Sequence, residues 1–310
     1  MAGIWALAAA LLSLVVLQFV AHDDMRLLAL LNAQTVWVFL PAYLLASAAL
    51  CFRRWGLAVV AAAVVVFHAT SLVGSIGDAA PISRAAREAP SLRVVSANVY
   101  DKNERRDDMV RELLESDADI LLVQEVTRRW DAIFEEAGFA DRYPYWISEP
   151  AAGTGGQAVF SRLPFEDTEV TYSEFWPTIG VTVDVGGTPV HLVNVHLIGP
   201  AHGIDAHRRT ARALESRLEA VPELRIVGGD FNATPYNETM HRFADLGLDS
   251  AHERRGRGLA TTWPNGLALS PPIRLDHVLV DDGITVLHVE ELRGSGSDHA
   301  PVLADLAITG

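Results

Sequence analysis

The sequence predicts an α/β protein carried on three membrane helices. Two observations support this reading. Up to residue 77 the chain has three stretches without a charged residue, at 3–21, 27–52 and 55–77. From residue 92 onward, short apolar runs of strand length alternate with segments whose apolar residues recur at helical spacing.

The shortest uncharged stretch has 19 residues. As a helix that is roughly 28 Å, about the thickness of a bilayer's hydrocarbon core. A cleaved leader would have a basic start and one shorter apolar run, and this chain has neither. Residues 1–77 therefore read as a transmembrane region, anchored in a lipid bilayer. The connection His22-Asp23-Asp24-Met25-Arg26 is net acidic, whereas the next one carries Arg53-Arg54. The positive-inside rule puts Arg53 and Arg54 in the cytoplasm and everything after about residue 78 outside, giving an integral plasma-membrane protein with an extracytoplasmic domain. Arg84 and Arg87 argue the other way. His68 falls inside the third stretch and reads as a neutral, hydrogen-bonded histidine.

The chain carries a net charge of −14, and the segment up to Gly77 carries +1, leaving −15 on residues 78–310. A domain this acidic repels a polyanion unless divalent cations intervene, which excludes a passive nucleic-acid binder built on a basic patch. Cys51 is the only cysteine, so neither an intramolecular disulfide nor a zinc–thiolate site is possible.

Residues 78–91, with Pro81 and Pro90, read as a linker, and 92–310 as one domain. A β-rich run at 93–97 ends at Asn98. Met109, Val110, Leu113 and Leu114 mark an amphipathic helix over 105–115. The continuous apolar run 120–123 is a strand buried on both faces, ending at Gln124-Glu125. A helix at 129–136 precedes the glycine-rich turn 153–156 and a strand at 157–161. Strands at 181–185 and 190–195 form a hairpin through Gly186-Gly187-Thr188-Pro189 and end in Asn194-Val195-His196. A helix over 205–221 leads to the apolar run 224–227, which enters Gly228-Gly229-Asp230-Phe231-Asn232. There Asp230 and Asn232 would share one face with Phe231 turned into the core, or the segment is an Asx-type turn. A helix at 237–246, a strand at 274–280 and a final strand pair around 296–301 complete the chain. No internal repeat or low-complexity segment is present.

Strand after strand delivers polar residues near its end: Asn98, Glu125, His196, Asp230 with Asn232, and Asp298 with His299, while Asp276 lies within a strand. In layered α/β folds, sites gather where strand ends meet loops. A shell this rich in oxygen suits Mg²⁺, Mn²⁺ or Ca²⁺. No His-Glu-x-x-His helix occurs, which argues against a metalloprotease. His191, His202 and His207 fit no common ligand spacing and read as surface or loop histidines.

The ordered series Ser96-Ala97-Asn98, Leu122-Val123-Gln124-Glu125-Val126, Val159-Phe160-Ser161-Arg162-Leu163-Pro164, Val193-Asn194-Val195-His196-Leu197, Gly228-Gly229-Asp230-Phe231-Asn232, Arg274-Leu275-Asp276-His277-Val278 and Ser297-Asp298-His299 resembles the endonuclease/exonuclease/phosphatase superfamily. The resemblance spans about residues 92–309. It implies a four-layer α/β sandwich of two mostly antiparallel sheets flanked by helices, with the site at one rim. It further implies Glu125 as the principal metal ligand, with Asn98 and Asp298 close to the ion. Asp230 would orient or deprotonate the attacking water, and Asn232 would help hold the phosphate. His299, paired with Asp276, would be the general acid or base, and His196 would hydrogen-bond a non-bridging oxygen. Repair-type members carry a tyrosine and Pro-Asn where this chain has Val193-Asn194-Val195-His196-Leu197, so the likeness is closer to deoxyribonuclease I, the sphingomyelinases and the phosphatases. The expected activity is divalent-metal-dependent phosphodiester hydrolysis on nucleic acid ahead of a lipid headgroup. A lipid phosphodiesterase or phosphatase is the alternative, an inactive membrane scaffold the third reading. No protein partner is inferred. The aromatics of 174–177 read as packed residues.

Overall fold

The structure, a computed structural model, describes residues 2–173, 176–266 and 270–310. In chain order its strands are β1 (Ser91–Asn98), β2 (Ile120–Gln124), β3 (Tyr145–Glu149), β4 (Gln157–Ser161), β5 (Phe165–Ser173) and β6 (Trp176–Val185). There follow β7 (Thr188–His196), β8 (Leu224–Asp230), β9 (Asp249–Ser250), β10 (Asp276–Val280), β11 (Ile284–Glu291) and β12 (Val302–Ile308). They form two six-stranded sheets, ordered β11-β12-β1-β2-β4-β3 and β5-β6-β7-β8-β10-β9. Each sheet has one parallel pair at its centre, β1 with β2 and β7 with β8, and is otherwise antiparallel. The two-residue turn of the β6–β7 hairpin uses Gly186 and Gly187, both at positive φ, as such a tight turn requires.

The central strands are buried on both faces because each sheet is sandwiched. Valine, leucine and isoleucine from both sheets, among them Val94, Leu122, Val181, Leu192 and Val278, meet in the middle layer. The first sheet's other face packs on α7 (Arg106–Glu115), α8 (Arg128–Glu136) and α9 (Phe139–Arg142) through Met109, Trp130 and Phe134. The second sheet's outer face packs on α10 (Ile204–Leu218) and α11 (Glu238–Asp245) through Leu214, Phe231 and Phe243. These are the four layers of an α/β sandwich. Strands β3, β5 and β11 lie at or beside sheet edges, where half-exposed, mixed residues give no clean apolar run.

Two buried amides join the sheets close to the strand ends. Gln124 Nε2 donates to Asn194 Oδ1 at 2.6 Å, and Asn194 Nδ2 donates to the carbonyls of Val123 (2.9 Å) and Ala158 (3.0 Å). Both side chains are fully buried, so each bond forms where water cannot replace it.

At the N-terminus, α1 (Ala2–Val20) and α5 (Trp55–Leu72) are each long and apolar enough to cross a membrane. Residues 27–52 are not one straight helix. They divide into α2 (Arg26–Ala33), α3 (Thr35–Val38) and α4 (Leu40–Cys51), bent by 76°. The break follows from polar residues that the uncharged stretch conceals. Asn32 turns its amide to Asp23 (2.7 Å), Gln18 donates to Thr35 Oγ1 (3.1 Å), and Pro41 supplies no N–H to the first turn of α4. Within 78–91 a short helix, α6 (Arg84–Glu88), is capped by Ser83. His68 is buried against Tyr43, with Nδ1 3.2 Å from the phenol oxygen.

The N-terminal helical segment is fastened to the sandwich. Asp23, buried, accepts from the Glu238 N–H (2.7 Å) and Asn237 Nδ2 (3.1 Å), so it caps the N-terminus of α11. Trp37 Nε1 donates to Pro272 O at 2.9 Å, and Ser75 Oγ lies 3.3 Å from the Tyr236 hydroxyl.

Replacing Asn194 with alanine should break the Gln124 bond across the sheets and remove a donor from the Val123 and Ala158 carbonyls, costing on the order of 3 kcal/mol. Denaturant titration should show a lowered midpoint at unchanged slope. A change within about 0.5 kcal/mol would mean that the amides do not hold the sheets together.

Candidate active site

β8 ends at Asp230, and sheet register decides what stands beside it. Parallel pairing sets His196 of β7 opposite Asp230, and antiparallel pairing sets Asp276 of β10 opposite it. Gly229 makes this closeness possible. A Cβ there would lie 1.9 Å from the Val195 carbonyl oxygen, and its φ of 157° disfavours any other residue. After the strand, Phe231 turns into the core and stacks edge-on with Phe243. Asn232 leaves the strand at φ 49°, its N–H donating to Asp230 Oδ1 at 2.8 Å. The segment is thus a strand end and an Asx turn at once. Asn232 Nδ2 donates to Leu197 O (2.9 Å), which ties the loop back to β7.

The first sheet supplies the facing residues. Asn98, the last residue of β1, donates its NH₂ to Glu125 Oε1 (3.2 Å) and to Asp230 Oδ2 (3.1 Å), bridging the two sheets. Its oxygen accepts from the Tyr100 N–H at 3.0 Å, so it is the amide nitrogen that faces the carboxylates. Glu125 follows β2 in a left-handed conformation, φ 61°, and its Oε2 accepts the Asp101 N–H at 2.8 Å. Strain of this kind in a non-glycine residue persists where the surroundings over-determine it.

From the loop before β12, His299 sets Nδ1 2.8 Å from Asp276 Oδ2, with Nε2 3.7 Å from Asp230 Oδ2. His196 Nε2 lies 3.6 Å from the same Asp230 oxygen. Asp230 therefore has Asn98, His196 and His299 around it, all buried.

Burial and charge set the protonation states. Burial alone would push the His299 imidazolium down, but the Asp276 and Asp230 carboxylates outweigh it and hold the pKa at about 10. His196 goes the other way: burial pushes it to about 4, leaving a neutral ring with one N–H to offer. Burial raises Asp230 above the ordinary carboxylate range, opposed by His299. Glu125 rises to about 7 through burial, despite the hydrogen bonds from Asp101 and Asn98.

These carboxylates fit a divalent cation. Glu125 and Asp230 are buried, are held together by one amide, and lack enough positive charge to stay ionised easily, a deficit that a cation beside them would remove. Asp298 Oδ1 is buried without a partner. Asp230, Asp276 and His299 also offer ligand atoms within 4.8 Å of one another. Asp276 and His299 are bonded to each other, however, which suits them better to holding a proton.

The structure brings Asn98, Glu125, His196, Asp230, Asp276 and His299 into contact and sets Asn232 beside them; Asp298 precedes His299 but makes no bond to the cluster. Three supporting residues escaped sequence reading. Thr262 Oγ1 accepts the Asp276 N–H (3.1 Å), Ser297 Oγ links the Asn98 carbonyl to the His299 N–H, and the Trp176 ring lies 4.5 Å from the His196 ring. Glu174 and Phe175, read with Trp176 and Pro177 as packed, lie outside the described residues. His191 and His207 are neither surface nor loop residues. Both are buried, His191 against Thr182 (3.0 Å) and His207 between Ile198 O (2.8 Å) and Thr239 (2.9 Å), as structural links.

Comparison with known proteins places the site in context. Residues 95–299 match the Endonuclease/Exonuclease/phosphatase family. Among solved structures, the endonuclease/exonuclease/phosphatase from Bacteroides vulgatus superposes with a TM-score of 0.60 at 18% identity, covering 70% of this chain and 99% of that one. A humanized D. rerio TDP2 with 14 mutations gives 0.60 at 16% identity, covering 70% and 99%. D. rerio TDP2 complexed with a single-strand DNA product gives 0.58 at 16%, covering 70% and 98%. No curated protein matches the chain.

Because the folded-state pKa of His299 is raised, the stability it contributes is fully present below the unfolded value of about 6.5 and is lost as pH rises through about 10. Asp276→Asn should flatten that part of the stability–pH curve and move the His299 ring resonance to titrate near neutrality. A resonance that still titrates near 10 would show that Asp276 does not hold the charge.

Proposed function

The chain belongs to the endonuclease/exonuclease/phosphatase family, and from that premise we propose that it is a membrane-anchored, divalent-metal-dependent phosphodiester hydrolase acting on nucleic acid. The observation that carries this is the position of Asp230, hydrogen-bonded to Asn98 on one side and facing the His299–Asp276 pair on the other. Hydrolysing a phosphodiester needs a positioned water, neutralised phosphoryl oxygens and a proton for the leaving alkoxide.

Each need has a residue. Asp230, its pKa raised by burial, accepts a hydrogen bond from water and takes its proton. His299, protonated at neutral pH, holds a proton at Nε2 for the leaving oxygen or for a phosphoryl oxygen, and Asp276 fixes the tautomer through Nδ1. Neutral His196 donates one N–H to a non-bridging oxygen, and Asn232 has one amide N–H beyond the bond to Leu197. Glu125 is the main holder of the cation, Mg²⁺ or alternatively Mn²⁺ or Ca²⁺, with Asn98 and Asp298 beside it. When bound, the cation supplies charge neutralisation at the phosphoryl group.

The DNA product held by the D. rerio TDP2 structure, together with the shared fold, supports nucleic acid as the substrate class. A second reading, a lipid phosphodiester, is favoured by one observation. The loops after β8 and before β10, which follow Asp230 and lead into Asp276, are the ones fastened to the N-terminal helical segment through Asp23, Trp37 and Ser75. A scaffold role is disfavoured by a buried charge cluster that is costly to keep without a task. The proposal takes the domain to lie outside the cytoplasm, a reading supported by Arg53 and Arg54 between α4 and α5, which the positive-inside rule assigns to the cytoplasmic side.

The test uses the full chain in detergent micelles with bis(p-nitrophenyl) phosphate, plasmid DNA and phospholipid vesicles, with Mg²⁺ or EDTA. Hydrolysis of the soluble diester should need the cation and fall on the order of 10²-fold or more in Asp230→Ala and His299→Ala. Plasmid nicking would support the nuclease, and headgroup release alone would favour the lipid reading. A folded Asp230→Ala protein with full activity would remove the mechanism.

A further inference from the structure

The sandwich is strongly acidic, so a polyanion approaches it only along a surface whose cations are not already neutralised. Arg93, Arg162, Arg217, Arg225, Arg254 and Arg274 each pair with a carboxylate. One part of the rim differs. Lys102 (the chain's one lysine), Arg128 and Arg129 are exposed and make no hydrogen bond or ion pair among the described residues. Arg106 joins them. Its Nη2 donates to the Asp101 carbonyl at 3.0 Å, and its guanidinium carbon lies 5.6 Å from the centre of the Trp130 ring.

These four cations stand on two segments that meet at Glu125. The loop after β1 gives Lys102 and leads to Arg106, and the turn after β2 leads to Arg128 and Arg129 at the start of α8. The Asp101 N–H donates to Glu125 Oε2 (2.8 Å), and Trp130 Nε1 donates to the Tyr100 carbonyl (3.0 Å), which holds the segments together. Tyr100 and Glu125 both have left-handed backbone, φ 60° and 61°, so both turns are tightly specified. Lys102 follows the residue that bonds the Glu125 carboxylate, and Arg128 is at most about 11 Å of extended chain beyond Glu125. Burial first, then the Arg129 charge, lowers the Arg106 pKa, against the pull of Asp101 and Glu104. The next acid on α8, Asp131, accepts a bond from Ser148 Oγ at 2.6 Å. Like charges therefore face one another here, a repulsion that a bound anion relieves.

We propose that this rim is the track for the phosphodiester backbone of a nucleic-acid strand. With one phosphate at Asp230 and His299, the phosphates on one side of it lie over Lys102, Arg106, Arg128 and Arg129. The inference rests on the nucleic-acid reading of the site and adds the direction in which the strand leaves it. The loops after β8 and before β10 are held against the N-terminal helices, which leaves the first-sheet side to an extended ligand. A strand with flanking phosphates matches a row of cations better than a single lipid phosphodiester does. Contacts of this kind position the backbone and carry no base preference.

The experiment compares the full chain in non-ionic detergent micelles with the triple variant Lys102→Ala/Arg128→Ala/Arg129→Ala, which takes no partner from another side chain. Binding is read by the anisotropy of a fluorescein-labelled oligothymidylate in Mg²⁺, with His299→Ala in both proteins so that the strand stays whole. Each phosphate contact on a single strand adds about 0.7 to the salt slope, so the slope of log K against log salt should become shallower by about 2. At about 0.1 M salt that is a loss of affinity on the order of 10²-fold. Arg128→Lys/Arg129→Lys should bind as the parent does, since a point charge suffices for a phosphate. With His299 intact, the triple variant should lose at least about tenfold more kcat/KM on plasmid DNA than on bis(p-nitrophenyl) phosphate, which has no flanking phosphate. Unchanged oligonucleotide affinity would overturn the proposal. So would an equal loss on plasmid and diester, which would put the three residues in the reaction centre. A loss confined to phosphatidylglycerol hydrolysis in mixed micelles would overturn it in favour of an anionic lipid. A parent chain that hydrolyses the diester but neither binds nor cuts DNA would remove the nucleic-acid reading, and the track with it.

Discussion

The register of β8 between β7 and β10 is the constraint on which the site depends. One alignment sets Asp230 beside His196 and Asp276 together, and a slip of one residue would turn Asp230 toward the helical layer and Gly229 toward the site. The register is held by what it permits: Gly229 passes the Val195 carbonyl where no side chain fits, and Phe231 locks into the core one residue later. The facing sheet must then bring Asn98 and Glu125 to the same height. The Gln124–Asn194 amides do this from just beneath the rim. Fold and candidate site share these residues, since Asn98, His196, Asp230 and Asp276 are each the first or last residue of a strand and are placed by the pairing behind it.

The N-terminal helices extend this logic. Asp23 is a buried carboxylate whose bonds to Asn32, Asn237 and Glu238 tie the turn between α1 and α2 to the first turn of α11. That helix begins in the loop that leaves Asp230, so the rim and the N-terminal helices are linked through a short, hydrogen-bonded path. The exposed Arg208–Asp24 pair adds little, because solvent screens it. The buried contacts carry the attachment.

Much of the site was legible because polar residues at the ends of apolar strands are rare unless placed there. Asn98, Glu125, His196, Asp230 and His299 each announced themselves in this way, and the series they form marked the family. Residues whose task is to hold others were silent. Gln124 and Asn194 read as strand residues, Trp176 as a packed aromatic, and Thr262 drew no reading, because a supporting hydrogen bond depends on tertiary proximity that spacing does not encode. The uncharged stretch 27–52 hid its break for a similar reason: Asn32 and Thr35 carry no charge, yet their hydrogen bonds end the helix. His191 and His207 likewise needed the fold to show that they are buried links.

The central claim is that a water oriented by Asp230 attacks phosphorus while the proton of His299 serves the departing oxygen. Hydrolysing a soluble diester in ¹⁸O-labelled water under single-turnover conditions tests it most directly. The account predicts one labelled oxygen in the phosphate product and none in the released alcohol. Label in the alcohol, with an unlabelled phosphate, would contradict it by showing C–O cleavage instead.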